Sequence, residues 1–229
     1  MEPREIKDIN FRGDLTRLLK NLHIKEGSDD AEEVKRLLTE AERTARPKAL
    51  YGEAGIESRG DDWVVIDGVK FSSRILKVNL DGVHRVFPYV ATCGAELEGW
   101  ALGMGDMLAR YWADGIMLMA LGEAVAEAER RIEEDFHPGK TGRMNPGSLA
   151  DWPISEQRPL FQLAGGPEER IGVRLTESFL MIPAKSVSGI RFPTEVTYEN
   201  CQLCPREVCP GRRAPYDRDL YNRKYAQKA

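Results

Sequence analysis

A long stretch with helical periodicity, residues 94–136, limits the folds that this chain can adopt. Its sequence, GAELEGWALGMGDMLARYWADGIMLMALGEAVAEAERRIEEDF, repeats apolar residues at helical spacing, and its centre, residues 116–121, is heavily apolar. We predict a long helix with a break near Asp114 and Gly115. A helix that is apolar on several sides has to be buried, so we expect it to pack against a sheet.

Patterns typical of β-strands precede this stretch. Residues 49–93 include WVVIDGVKF and ILKVNLDGVHRVFPYVATC, which are rich in β-forming residues and are each interrupted by an Asp-Gly pair, at 67–68 and 81–82. Because Asp-Gly pairs favour tight hairpin turns, the pattern predicts an antiparallel meander. Residues 1–50 have helical apolar spacing and predict two short helices.

The second half of the chain returns to strands. Residues 139–153 are rich in Gly and Pro and predict a loop, followed by a short helix capped by Ser155 and by strands around 171–175 and 186–192. Strands on both sides of the helices indicate an α+β fold, with a mostly antiparallel twisted sheet packed with long helices.

Three segments differ in composition along the chain. We divide it into an N-terminal helical segment, 1–50, an α+β core, 51–198, and a Cys-rich tail with a C-terminal helix, 199–229. At 229 residues we expect them to form one compact unit.

The charge balance limits the class of partner. Lys and Arg number 33 against 37 Asp and Glu, a net charge of −4, which argues against nucleic acid or an anionic membrane as the partner. The N-terminus is charged and no long apolar run is present, so we expect a cytoplasmic protein. Thiols are kept reduced there, so clustered cysteines indicate metal ligands or redox groups rather than structural disulfides.

Motifs of several common enzyme classes are missing from the sequence. It contains no phosphate-binding Gly-x-x-x-x-Gly-Lys-Ser/Thr, no Gly-x-Gly-x-x-Gly after a strand and no Gly-x-Ser-x-Gly. The histidines, His23, His84 and His137, are scattered and lack metal-ligand spacing. These observations argue against nucleotide hydrolysis and esterase chemistry.

Three of the four cysteines lie within nine residues. Cys201, Cys204 and Cys209 have C-x2-C-x4-C spacing, in a stretch that Pro205, Pro210 and Gly211 allow to turn sharply. Cys93, at the end of a predicted strand, is a candidate fourth ligand. Four thiolates suit either an iron–sulfur cluster or zinc. The alternatives are that the chain binds no metal and that Cys93 is a small buried apolar residue.

Two further segments have unusual patterns. In RLTESFLMIPAKSVSGIRF, residues 174–192, the small residues 186–189 allow a flat ligand or another backbone to come close. In GRMNPGSLADWPISEQRPLF, residues 142–161, Arg143 lies beside turn-forming residues and can bind a carboxylate. For residues 142–161, an ordinary surface loop packed on a strand explains the pattern as well as a carboxylate-binding site does.

At these residues the sequence resembles the activation (reactivation) domain of vitamin B12-dependent methionine synthase. The domain's Leu-Thr-Glu-Ser-x-x-Met-x-Pro-x-x-Ser-Val-Ser-Gly pattern is similar to residues 175–189 at every fixed position, and its Leu-Ala-Glu-Ala-Phe-Ala-Glu helix resembles residues 121–127. Its Arg-x-x-Pro-Gly-Tyr-Pro loop resembles Arg143, Pro146 and Gly147, with Ser148 in the place of Tyr. The resemblance covers residues 75–198.

The resemblance implies an activation-domain-like fold and a role in restoring a corrinoid enzyme whose cobalt has been oxidised to cob(II)alamin. An electron reduces the cobalt, and S-adenosylmethionine then methylates it. The cobalamin is carried by the partner, a corrinoid protein or cobalamin-dependent methyltransferase, and a further protein is the implied electron donor. The residues corresponding to S-adenosylmethionine contacts are Glu123, Arg143, Met144, Asn145, Pro146, Gly147 and Tyr198.

The cysteine tail suggests how the electron could reach the cobalt. An iron–sulfur cluster there would carry the electron to the cobalt. One alternative is a non-redox module that binds the corrinoid protein and has structural zinc in its tail. The other is reactivation that depends on S-adenosylmethionine and uses no cluster.

Overall fold

An antiparallel sheet with helices on both faces forms the centre of the molecule. The computed structural model describes residues 1–196, 198–209 and 212–225. Within them, eight strands join in one sheet and every pairing is antiparallel. These strands are β1 Arg4–Ile6, β2 Lys48–Tyr51, β3 Ala54–Arg59, β4 Trp63–Ile66, β5 Val69–Ser72, β6 Arg85–Thr92, β7 Thr141–Met144 and β10 Ser186–Pro193. A separate hairpin pairs β8 Arg174–Leu175 with β9 Met181–Ile182.

Seven α-helices are found among the described residues. They are α1 Leu15–Leu22, α2 Asp29–Thr44, α3 Arg74–Asn79, α4 Ala95–Leu102, α5 Met107–Phe136, α6 Gln157–Ala164 and α7 Pro167–Ile171. Short 3-10 turns lie at Ile154–Glu156 and Asn200–Leu203, and a π-helical turn lies at Tyr221–Tyr225. No helix in the described part of the chain has the length and hydrophobicity needed to cross a membrane.

Strand β6 shows how the two faces of the sheet are used. Its residues alternate in direction, as in any strand. Phe87, Tyr89 and Ala91 pack against α5, whereas Val86 and Val90 lie in clusters on the opposite face with residues of α6 and α7. Because helices cover both faces, β6 is buried along almost its whole length. The predicted α+β fold with a mostly antiparallel sheet is confirmed.

The break in the long helical stretch was predicted at the wrong place. The helices α4 and α5 are separated at Gly103 to Asp106, and the Asp106 carboxylate caps α5 by accepting a hydrogen bond from Ala109 N at 2.7 Å. Gly115 continues the helix. A Cβ atom there would lie 3.2 Å from Leu22 Cδ2, so glycine lets α1 pack closely on α5.

Part of the predicted meander is helical. Residues 74–79 form α3, so the Asp81-Gly82 pair follows a helix rather than joining two strands. The Ser73 hydroxyl caps this helix, and the two Asp151 oxygens accept hydrogen bonds from the N–H groups of Arg74 and Ile75 at 2.9 and 3.0 Å. The other predicted hairpin is correct: residues 67 and 68 join β4 and β5 with φ of 43° and 76°.

Two local predictions in the second half were wrong. The predicted loop 139–153 contains strand β7, which pairs with β10. The helix predicted to start at a Ser155 cap begins at Gln157, after the 3-10 turn, and no side chain caps it. The end of the chain beyond Tyr225, part of the predicted C-terminal helix, lies outside the described residues.

Candidate functional site

Strand β7 and the loop after it hold the sequence-predicted arginine. Arg143 on β7 is paired in register with Arg191 on β10. Arg143 Nη1 lies 3.2 Å from Glu129 Oε1 of α5, and Arg191 Nη1 donates to the same oxygen. We call Arg143, Arg191 and Glu129 the arginine cluster. Two guanidinium groups share one carboxylate, so the cluster keeps a net positive charge and suits an additional anionic group.

Asn145 fixes the loop against the sheet. Its Nδ2 donates to Ser188 O at 2.7 Å and to the Tyr89 hydroxyl at 3.1 Å. Burial raises the pKa of Tyr89, so its hydroxyl stays protonated. The loop therefore has one defined position beside the arginine cluster.

The turn itself is closed by backbone hydrogen bonds. Gly147 has φ of 81° and its N–H donates to Trp152 O at 2.8 Å, while Ser148 N donates to Asn145 O at 3.3 Å. A Cβ atom at position 147 would lie 2.7 Å from Ile154 Cδ1. Glycine is required there both by the left-handed conformation and by this contact.

The residues that the resemblance groups together come from α5, from β7 and the loop after it, and from the segment after β10. Glu123 and Glu129 are six residues apart on α5, which places them about 120° apart around the helix axis. Glu129 meets Arg143, whereas Glu123 lines a groove between α5 and α1. Met144 and Pro146 are buried, and Gly147 is exposed.

Tyr198 lies on the other face of the sheet. It is 6% exposed and packs in a cluster with Met144, its ring centroid 5.8 Å from that of Phe192. Because side chains alternate along β7, Met144 and Arg143 point to opposite faces. Of the predicted ligand contacts, Arg143 and Asn145 lie on β7 and in the loop after it, Glu123 lines the groove between α5 and α1, and Tyr198 is buried on the opposite face of the sheet.

Two members of the arginine cluster were not predicted from the sequence. Arg191 is a charged residue inside a predicted buried strand, and that unusual placement was a usable signal. Glu129 is one of many acidic residues near the end of α5, and its pairing with Arg143 depends on how α5 crosses the sheet.

The three tail cysteines occupy a turn that is organised by arginine. Cys204 N donates to Cys201 O at 3.3 Å, and Arg213 N donates to Cys201 Sγ at 3.4 Å. The Arg212 guanidinium donates to the carbonyl oxygens of Cys201 and Cys204 at 3.2 and 3.4 Å. Pro210 and Gly211, expected to shape this turn, lie outside the described residues.

Cys93 is not brought together with the tail cysteines. It is fully buried in a cluster with residues of α2, α4 and α5, whereas Cys204 packs against the cluster on the α3 and α6 side. In the part of the chain that the structure describes, no three His, Cys, Asp or Glu side chains are placed to hold a metal ion. The arrangement therefore does not form the four-thiolate site, and the iron–sulfur cluster and zinc remain predictions.

The reactivity of the thiols gives a direct test of this arrangement. Burial raises the pKa of Cys93 to about 12, which leaves almost no thiolate at neutral pH. Cys201, Cys204 and Cys209 are partly exposed. In chelator-treated, reduced, native protein we expect three thiols to react rapidly with an aromatic disulfide reagent and the fourth only after denaturation.

The matched control for the thiol titration is the Cys93→Ala variant, which should keep all three fast-reacting thiols. A count that rises from fewer than three to three on chelation would show a bound metal in the tail. Fast reaction of Cys93 in the native wild-type protein would contradict the buried position described above.

Two comparisons relate the chain to known proteins. Residues 116–207 match a family model described as "Vitamin B12 dependent methionine synthase, activation domain". Among solved structures, a crystal structure of the MetH reactivation domain bound to AdoHcy matches with a TM-score of 0.54 and 19% sequence identity, over 87% of this chain and 81% of that chain. No curated protein matches. The predicted resemblance to the activation domain is confirmed, and the fold is that of the MetH reactivation domain.

Proposed function

We propose that this protein reactivates a corrinoid protein or cobalamin-dependent methyltransferase whose cobalt has been oxidised to cob(II)alamin. The observation that carries the proposal is the activation-domain match over residues 116–207, which contains all three members of the arginine cluster. The cobalamin belongs to the partner and meets this protein only during repair. A separate donor protein supplies the electron, and the reaction takes place in the cytoplasm.

In this proposal the arginine cluster holds the carboxylate of S-adenosylmethionine. The side chains of Arg143 and Arg191 are 26% and 18% exposed, so their guanidinium groups are partly shielded from water yet remain accessible. A ligand carboxylate there can form charge-assisted hydrogen bonds with both groups, and Glu129 keeps them in place. The related crystal structure contains AdoHcy, which has the same amino acid group. When bound, S-adenosylmethionine supplies the methyl group for the reduced cobalt.

The remaining residues of the loop position this group. Asn145 holds the end of β7 to β10 and β6 through Ser188 and Tyr89, which keeps Arg143 opposite Arg191. Gly147 and Ser148 are exposed at the tip of the loop. The iron–sulfur cluster predicted at Cys201, Cys204 and Cys209 is a separate hypothesis, and the proposed reaction is tested without it.

Loss of Arg143 should weaken the binding of S-adenosylmethionine. Hydrogen bonds to a charged group contribute about 1.5–3 kcal/mol, so we expect Arg143→Ala to raise the Kd by roughly 10- to 100-fold in a calorimetric titration. The matched control is Arg130→Ala, which removes an exposed arginine paired with Glu127 and Glu134 on α5. Equal affinities of Arg143→Ala and the wild-type protein would remove the arginine cluster from the ligand site.

The function itself is tested with a purified corrinoid partner in the cob(II)alamin form. Absorbance would follow the loss of cob(II)alamin in the presence of a low-potential reductant and S-adenosylmethionine, with and without this protein. We expect the wild-type protein to accelerate the conversion and Arg130→Ala to do so equally well. No acceleration with a partner that binds the protein would rule out the proposed function.

A further inference from the structure

The backbone turn at Cys201 and Cys204 brings these two cysteines close together. Cys201 lies in the 3-10 turn Asn200–Leu203, and Cys204 follows it directly and donates its N–H to Cys201 O at 3.3 Å. A hydrogen bond between residues i and i+3 keeps their Cα atoms within about 7 Å of each other. Because a disulfide joins Cα atoms about 4.4–6.8 Å apart, this backbone can hold one.

The two thiols of this turn differ in their surroundings. Cys201 Sγ accepts a hydrogen bond from Arg213 N at 3.4 Å, and this donor can stabilise negative charge that develops on the sulfur. Cys204 packs against the core cluster that contains Trp152 and Tyr198, which covers one side of it. Both residues remain partly exposed. Cys201 is therefore suited to attack an incoming molecule, and Cys204 to react second, from within the protein.

Two arginines hold the turn in this shape without using a thiol. The Arg212 guanidinium donates to the carbonyl oxygens of Cys201 and Cys204, at 3.2 and 3.4 Å. Arg213 Nε pairs with Glu199 Oε2 at 2.9 Å, at the start of the turn. Since these contacts involve carbonyl and carboxylate oxygens, a bond between the two sulfurs would remove none of them. The turn can thus keep its shape in a reduced and in an oxidised form.

The other two cysteines lie outside this turn. Cys93 is fully buried among residues of other helices. Cys209 comes five residues after Cys204, and its carbonyl oxygen accepts a hydrogen bond from Arg212 N at 3.1 Å. The local backbone therefore pairs Cys201 with Cys204.

We propose that Cys201 and Cys204 form a redox-active dithiol that exchanges with small-molecule disulfides. The Cys201 thiolate attacks one sulfur of the disulfide, which forms a mixed disulfide and releases one thiol. The Cys204 thiolate then attacks the Cys201 sulfur, which forms the Cys201–Cys204 bond and releases the second thiol. The two cysteines together lose two electrons and two protons, and the small disulfide gains them. No step involves the arginine cluster, so the site does not depend on the proposed reactivation.

The dithiol and the metal site predicted from the sequence use the same two residues, but they differ in their need for Cys209. A metal ion or cluster would take Cys209 as a third ligand, whereas the exchange reaction requires only Cys201 and Cys204. Cys209→Ser is therefore the matched control. It should leave the exchange unchanged, although it would weaken a metal site.

Oxidised glutathione, with oxygen excluded, tests the exchange. Protein as purified and chelator-treated protein would each be incubated with it at millimolar concentration, alkylated and digested with trypsin. Cleavage places Cys201 and Cys204 in one peptide, 192–206, and Cys209 in another, 207–212. We expect peptide 192–206 to become lighter by two hydrogens and to escape alkylation in both samples. Treatment with dithiothreitol should reverse the change.

Two variants separate the steps of the reaction. Cys204→Ser removes the second thiol, so the reaction should stop at a glutathione adduct on Cys201. Cys209→Ser should form the internal disulfide of peptide 192–206 to the same extent as the wild-type protein. A purely structural role of Cys204 would not produce a trapped adduct at Cys201.

Three results would overturn the proposal. The first is a peptide 192–206 that glutathione leaves reduced in both samples. The second is a disulfide that links peptide 192–206 to peptide 207–212 instead. The third is protein that carries a metal as purified and is protected from glutathione until the chelator is added, which would assign the cysteines to a metal site. None of these results affects the binding of S-adenosylmethionine or the reactivation assay, so the two proposals fail separately.

Discussion

Gly189→Ala is expected to lower the free energy of unfolding by about 3 kcal/mol, because the added methyl group would collide with the sheet. Gly189 lies on β10 between β6 and β7. A Cβ atom there would lie 2.6 Å from Met144 O and 2.5 Å from Asn145 Nδ2. The first of these is backbone in a paired strand, which cannot rotate away as a side chain can.

Urea denaturation followed by circular dichroism would measure this loss. Gly122→Ala is the matched control, since its added methyl group meets nothing within 4 Å and should leave stability equal or higher. A Gly189→Ala variant as stable as the control would show that the β7 loop does not lie where the structure places it.

The same collision should disturb the candidate site. To admit a methyl group, Asn145 must give up its hydrogen bond to Ser188 O, and the end of β7 must move from β10. Arg143 would move with the strand. We therefore expect Gly189→Ala to weaken S-adenosylmethionine binding even at temperatures where the variant remains folded.

Position 189 also shows what sequence reasoning can and cannot reach. The small residues 186–189 predicted a close approach of either a flat ligand or another backbone, and the structure shows backbone and the Asn145 amide. A glycine at position 189 indicates that another atom lies close by. That atom belongs to β7, a strand about 45 residues earlier in the chain. Its identity depends on the sheet topology, which local patterns do not contain.

The wrong local predictions have the same cause. Residues 75–78 look like a strand, yet Asp151 accepts hydrogen bonds from the first N–H groups of α3 and favours the helix. Gly115 looks like a helix break, yet α1 packs against it and the helix continues to Phe136. In both cases a distant part of the chain outweighs the intrinsic preference of the segment.

The candidate site likewise has one part that local sequence patterns predict and another part that depends on tertiary packing. Arg143 and its loop were predictable because their residue types and spacing resemble a known pattern, and that pattern is local. The partners of Arg143 are Glu129 on α5 and Arg191 on β10, which meet it only after the helix has packed across the sheet. Local motifs therefore indicate a candidate site, whereas the charged partners of Arg143 are set by the fold.

Tyr225→Ala is expected to lower the free energy of unfolding by about 4 kcal/mol, in the range found for buried aromatic residues. Tyr225 is fully buried and packs in the cluster that contains Leu76 and Leu80. Its hydroxyl donates to Asn79 Oδ1 at 2.7 Å, and its carbonyl accepts a hydrogen bond from the Arg74 guanidinium. Removing the ring leaves a cavity and takes away one partner of Asn79.

Two variants define the source of this loss. Tyr225→Phe keeps the ring and should cost about 1 kcal/mol, the contribution of one hydrogen bond. Tyr216→Ala removes a tail tyrosine that is 44% exposed and should change stability by less than about 0.5 kcal/mol. Denaturation of all three variants in urea gives the comparison, and a Tyr225→Ala variant no less stable than Tyr216→Ala would show that the tail does not dock.

A docked tail would bring the cysteine turn close to the candidate site loop. Ser148 and Asp151 of that loop line one cleft of about 860 Å³ together with Leu203, Pro205 and Tyr221 of the tail. If Tyr225 anchors the tail to the core, then Cys204, between Leu203 and Pro205, is held beside this cleft. Tyr225→Ala should then increase the rate at which the tail thiols react as well as lower stability, whereas Tyr216→Ala should change neither.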